Sequence, residues 1–187
     1  TGHLQAGEKD PTLRSKRIWK FVQGLKRATV GKPRKLGVTP AMLQWIFVHL
    51  FGAADADPLQ NPDGVALFAT ILVGFFFMLR AGEYLRTGTP DDGRVLKGSS
   101  LSLKVEGVPT RGRPDELAVF GEKHKGDQEG HGWTLSHFRA DRTICVVTAV
   151  WWLSLCFPAR FHGGAESHLQ FARWANGHHI RREQVQD

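Results

Sequence analysis

Fifteen consecutive apolar or small residues, Val65 to Leu79, run directly into Arg80. A stretch this uniform has no polar face to give to water, so it predicts a helix buried on all sides with the rest of the chain wrapped around it. It is shorter than the roughly twenty residues needed to cross a bilayer, and it stops at a cation. No membrane partner is therefore expected. With 187 residues, 41% hydrophobic and 23% charged, the chain can supply the surrounding core, as one domain or as a domain plus part of another.

The flanking segments predict an α+β, mainly helical fold with a small antiparallel sheet. Pro11 to about Thr29 has helical periodicity, with Leu13, Ile18, Phe21, Val22 and Leu25 on one side. Gly31-Lys32-Pro33-Arg34-Lys35 then breaks regular structure. Thr39 is a good N-cap with Pro40 at the first helical position, predicting a helix to Phe51 with a stripe of Leu43, Ile46, Phe47 and Leu50. Asn61-Pro62-Asp63-Gly64 reads as a turn ahead of the apolar helix. Strands are predicted at 100–105, 116–120 and 133–138, and a second apolar helix at 143–157. Trp151, Trp152 and Phe75 to Phe77 lie within apolar helices and predict core packing. Residues 169–187 predict a short apolar element, a turn at Asn176-Gly177 and the start of a helix.

Positive charge is concentrated early. Residues 1–35 hold ten Lys/Arg against two acids, a net +8 within a chain total of +7. This fits either contact with a nucleic-acid backbone or a solvated basic arm that binds acidic proteins. Cys145 and Cys156, eleven residues apart on one predicted helix, are roughly 16 Å from each other and cannot form a disulfide. The nine histidines are scattered and predict no metal site. The polar first residues predict no secretory signal.

Two segments carry chemistry. Arg80, with Glu83 three residues on, could complement a helix C-terminus with Glu83 as its ion-pair partner. Held near the core, its guanidinium could instead be aimed at a fixed anion such as a phosphate. In Glu122-Lys123-His124-Lys125-Gly126-Asp127-Gln128, cations follow a strand-like run among glycines that permit a hairpin. Lys123, two residues before Lys125, competes with it for any role there.

Together these segments resemble the catalytic domain of tyrosine recombinases, the phage-integrase family. There an apolar helix ends in Gly-Leu-Arg-x-x-Glu and a hairpin carries a catalytic lysine. Here Met78-Leu79-Arg80-Ala81-Gly82-Glu83 keeps the Arg and Glu and has Met78 in place of the glycine. Lys125-Gly126-Asp127-Gln128 is similar to the Lys-Thr-Asp-Gln hairpin of the eukaryotic branch, which includes DIRS-type and Crypton elements. Ile144-Cys145-Val146-Val147-Thr148-Ala149-Val150 resembles that branch's Leu-Cys-Pro-Val-x-Ala-Leu helix start, with Val146 in place of the proline. Gly24-Leu25-Lys26-Arg27 and Val38-Thr39-Pro40-Ala41-Met42-Leu43 resemble its interdomain junction.

The resemblance implies the end of an N-terminal core-binding domain over 1–30, a basic linker over 31–37 and a partial catalytic domain over 38–187. It implies double-stranded DNA as partner, with Arg80 and Lys125 catalytic, Glu83 supporting, and Lys26, Arg27, Lys32, Arg34, Lys35 and Lys123 contacting DNA. In the family a tyrosine attacks the phosphodiester without a metal or other cofactor, arginines stabilise the phosphate charge and the hairpin lysine protonates the leaving oxygen. The parent protein would assemble as a homo-oligomer on DNA, in the nucleus if eukaryotic and otherwise in the cytoplasm. Tyr84, the single tyrosine, falls inside the first motif and does not fit the nucleophile; this fragment is expected to be inactive alone. His178-His179-Ile180-Arg181 meets the family's His-x-x-Arg pattern formally, as do His179 to Arg182, but reads better as the turn before that box. A DNA-binding remnant without catalysis and a helical interaction module with a basic arm remain alternatives.

Overall fold

The computed structural model describes residues 37–52, 56–85, 95–122, 131–161, 163–181 and 183–186. The chain divides into two units, Thr1–Gly37 and Val38–Asp187, and the second is described here. The helix expected over 11–29 and the linker over 31–37 lie outside the described residues, apart from Gly37.

Helix α1 spans Pro40–Phe51. The Thr39 hydroxyl accepts the Met42 N–H at 3.3 Å, and Pro40 follows the cap, as the sequence predicts. Leu43 and Phe47 are buried, while Ile46 and Leu50 are half-buried. Helix α2 spans Pro62–Phe76. Residues 61–64, expected as a turn, are its first turn instead: Asn61 Oδ1 accepts the Gly64 N–H at 2.9 Å. Asn-Pro-Asp suits a helix start as well as a turn, because proline lacks only an N–H that would be unpaired there. The Asn61 side chain also donates to the Leu50 carbonyl at 3.0 Å, tying the start of α2 to the end of α1.

The sheet contains β1 Leu101–Val105, β2 Val108–Pro109, β3 Glu116–Gly121 and β4 Trp133–Phe138. Its order is β2-β1-β3-β4 and every pairing is antiparallel, with Leu103 opposite Leu117 and Leu117 opposite His137. The three expected strands match to within one residue at their ends. Strand β2 was not predicted; Glu106 and Gly107, both at positive φ (50° and 79°), make the two-residue turn that folds it back onto β1.

Helix α4, Val146–Cys156, packs along α2; the four-residue α3 lies between α2 and the sheet in sequence, at Ala81–Tyr84. Helix α4 begins three residues later than predicted, because Cys145 is extended (φ −135°, ψ 115°) and its Sγ accepts the Ala140 N–H at 3.4 Å. Val65, Phe68, Ala69, Leu72 and Val73 of α2 meet Val147, Val150 and Leu153 of α4 and Leu103, Leu117 and Val119 of the sheet in one core. Phe47, Phe51, Phe68 and Trp152 form an aromatic group within it. The apolar run as far as Phe76 is thus a core helix, and no helix among the described residues is long and apolar enough to cross a membrane.

Beyond α4 the chain returns along residues 96–99, where the Gly98 N–H donates to Leu169 O at 3.0 Å and the Phe171 N–H to Leu96 O at 3.2 Å. Buried Arg160 holds this segment. Its guanidinium donates to the carbonyls of Arg173 and Trp174, both at 2.7 Å, and lies 3.8 Å from the centre of the Phe157 ring. Burial, and secondarily the nearby Arg173 cation, lowers the Arg160 pKa to about 10. The Asn176-Gly177 turn forms as predicted, with Gly177 at φ 83°, and leads into α5, Glu183–Gln186. The described residues are therefore α+β.

Candidate nucleic-acid interface

Arg80 does not close the apolar helix as the sequence suggested. Helix α2 ends at Phe76, and residues 77–79 turn the chain. The Leu79 N–H donates to Gly74 O at 3.0 Å and the Met78 N–H to Phe75 O at 3.3 Å. These are the two bonds of a Schellman cap, which needs a left-handed residue between helix and exit. Met78 is that residue, at φ 51° and 89% exposed. The position where the family motif has glycine is thus one whose backbone conformation glycine adopts freely.

Arg80 then emerges in extended geometry (φ −73°, ψ 145°) as the cap of α3. The Glu83 carboxylate accepts the Arg80 N–H at 2.7 Å and lies 3.8 Å from its guanidinium. The Arg80 side chain is 69% exposed, so it is not held near the core; the helix that would have buried it stops four residues earlier. An exposed pair at this distance contributes little to stability, which leaves the guanidinium available to an anion. Glu83 acts on the backbone of the turn more than on the cation. Tyr84 packs its ring on Gly74, where a Cβ would come within 2.5 Å of Tyr84 Cζ. This close approach fixes α3 against α2.

A short relay joins this turn to the base of the β3–β4 connection. The Glu83 carbonyl accepts the Leu96 N–H at 2.9 Å, and the next residue, Lys97, places Nζ 3.2 Å from Glu122 Oε1. Glu122 directly follows β3 and precedes Lys123 and Lys125 in sequence. On the other strand, His137 Nε2–H donates to the Phe76 carbonyl at 3.0 Å, and its ring meets Phe76 and Phe77 edge-on. Strand β4 is thereby clamped to the end of the helix that leads to Arg80. Neither Lys97 nor His137 was singled out in the sequence; each acts on a residue at least 25 positions away, and no local pattern marks such a pair.

Lys123 and Lys125, and Lys26, Arg27, Lys32, Arg34 and Lys35, lie outside the described residues. Of the sequence-predicted site residues, Arg80 and Glu83 are described, and they are together. The His-x-x-Arg pattern does not join them. His178 and Arg181 line an open cleft of about 460 Å³ with Asp63, and Asp63 Oδ1 accepts the Ala175 N–H at 2.6 Å. Asp63 opens α2 and Arg80 lies beyond its far end, about 22 Å along a fifteen-residue helix. Among the described residues no group of three or more His, Cys, Asp or Glu could hold a metal ion.

No protein-family model matches the chain, and no curated protein or solved structure matches it either.

Proposed function

We propose that this chain is part of a tyrosine-recombinase-like protein that binds duplex DNA, with Arg80 and the hairpin lysine Lys125 addressing the scissile phosphate in strand breakage and rejoining. The observation that carries the reading is the relay from Glu83 through Leu96 and Lys97 to Glu122, because it joins the Arg80 turn to the residue that opens, in sequence, the second segment whose chemistry suggested the family. The motif's departures also support it. Met78 stands at a positive-φ site that suits glycine, and Val146, where the family has proline, is the first residue of α4, where proline is favoured.

On this reading the exposed Arg80 guanidinium neutralises charge on the phosphate, Glu83 holds the backbone that presents it, and Lys125 protonates the leaving oxygen. The nucleophile is not Tyr84, whose ring is set against Gly74. The test is duplex binding measured across a salt series. Affinity should fall steeply, with a slope of roughly 0.9 per neutralised phosphate. In an active parent protein, Arg80→Ala should abolish strand cleavage while leaving duplex affinity largely intact. Binding without cleavage by that parent would identify a DNA-binding remnant. Absence of salt-sensitive binding would favour the interaction module.

A further inference from the structure

A second cationic feature lies away from the Arg80 turn, in a cleft of about 230 Å³. Phe47 of α1 and Trp152 of α4 contribute apolar wall, and the rim carries Arg113 from the β2–β3 loop with Arg139 and Arg142 from the β4–α4 loop. Thr143 and Thr148 add hydroxyls, and among the described residues Asp141 is the one carboxylate in the lining. None of the lining residues belongs to the Arg80–Glu83 turn or to the chain around Glu122.

The three arginines differ from most other described cations. Arg80, Lys97, Lys104 and Arg173 each pair with a glutamate, and Arg160 is bound to two carbonyls. Among the described residues no such pairing occurs for the side chains of Arg113, Arg139 or Arg142. The acid Asp115 lies outside the lining, and its Oδ2 accepts the Glu106 N–H at 3.1 Å in the β1–β2 turn. Three guanidinium groups around one concavity repel one another, and Asp141 offsets only one of them. The loops that hold them are nonetheless anchored, the Arg139 N–H donating to Asp115 O at 2.7 Å and the Ala140 N–H to Cys145 Sγ. Forked guanidinium donors and hydroxyls lining one anchored cleft are the groups that bind the oxygens of a phosphate.

We propose that this cleft is a phosphate subsite that takes a backbone phosphodiester of duplex DNA, distinct from the phosphate addressed by Arg80; as a DNA contact it rests on the function proposed above. The test compares wild type, Arg142→Gln and Arg111→Gln. Arg111 is exposed on the same loop as Arg113 and outside the cleft, so its substitution removes the same charge without touching the site. Thermal unfolding confirms that each variant folds. Arg142→Gln should weaken binding of a short fluorescent duplex by about tenfold and lower the salt slope by about 0.9, with Arg111→Gln near wild type. Equal effects of the two substitutions on duplex binding, or no effect of either, would overturn the proposal. A parallel titration with inorganic pyrophosphate separates the sources of phosphate. Stabilisation of wild type but not of Arg142→Gln, in a protein that binds no duplex, would overturn the DNA assignment and the proposed function while leaving a site for a free phosphate ligand.

Discussion

Met78 and Arg160 show two ways in which one residue sets a local free energy. Met78 occupies the left-handed position of the α2 cap with its side chain 89% exposed, so replacement by glycine relieves backbone strain and removes almost no packing. Met78→Gly should raise the unfolding free energy by about 0.5–1 kcal/mol, the left-handed penalty less the extra entropy glycine has when unfolded. Denaturant unfolding would measure it, and a loss of stability would show that the cap is formed otherwise. Arg160 is the reverse case. Arg160→Met would leave the Arg173 carbonyl without its donor and the Trp174 carbonyl with the Gly177 N–H alone, at a cost of about 2 kcal/mol. Because the folded pKa, about 10, lies below the ordinary 12.5, the folded protein releases this proton before the unfolded chain does. That contribution to stability is absent near neutrality and grows as pH rises through the folded value. The difference in unfolding free energy between wild type and Arg160→Met should therefore be flat near neutral pH and shift in favour of wild type above about 10.

Among the elements, helix ends decide more than helix interiors. Helix α2 is legible as a buried helix from composition alone, but neither of its ends is. Asn, Pro and Asp serve a turn as well as a helix start, and Phe77, Met78 and Leu79 are as apolar as the residues before them, so local pattern carries the helix on to Arg80. What stops the helix is a backbone twist at Met78 that no local preference of methionine announces. Helix α4 offers a direct test of how such ends are specified. Val146 is its first residue and the preceding Cys145 is extended, the conformation that a following proline requires. Val146→Pro should therefore fold with a change within about 1 kcal/mol, whereas Ala149→Pro, inside the helix, should cost about 3 kcal/mol or more. Circular dichroism with thermal unfolding distinguishes the two, and comparable damage from both would mean that α4 begins before Val146.

For the molecule as a whole, the proposed function implies a DNA affinity weighted toward the first residues. The first 35 residues carry a net +8 and the remainder a net −1, so salt dependence should report mainly on the former and Arg80 mainly on chemistry. This is why Arg80→Ala is expected to separate cleavage from binding. By itself the sequence determined the α+β class, the central buried helix, three of the four strands among the described residues and the pairing of Arg80 with Glu83. Each of these is written in residues close together, where periodicity, capping and turn chemistry act. Tertiary structure alone decided that Arg80 faces solvent, that Lys97 joins its turn to Glu122, that His137 clamps β4 to the end of α2, and that three arginines from two loops share one cleft. Those outcomes depend on side chains brought together across long stretches of sequence by burial of the core, and such pairings leave no trace in local pattern.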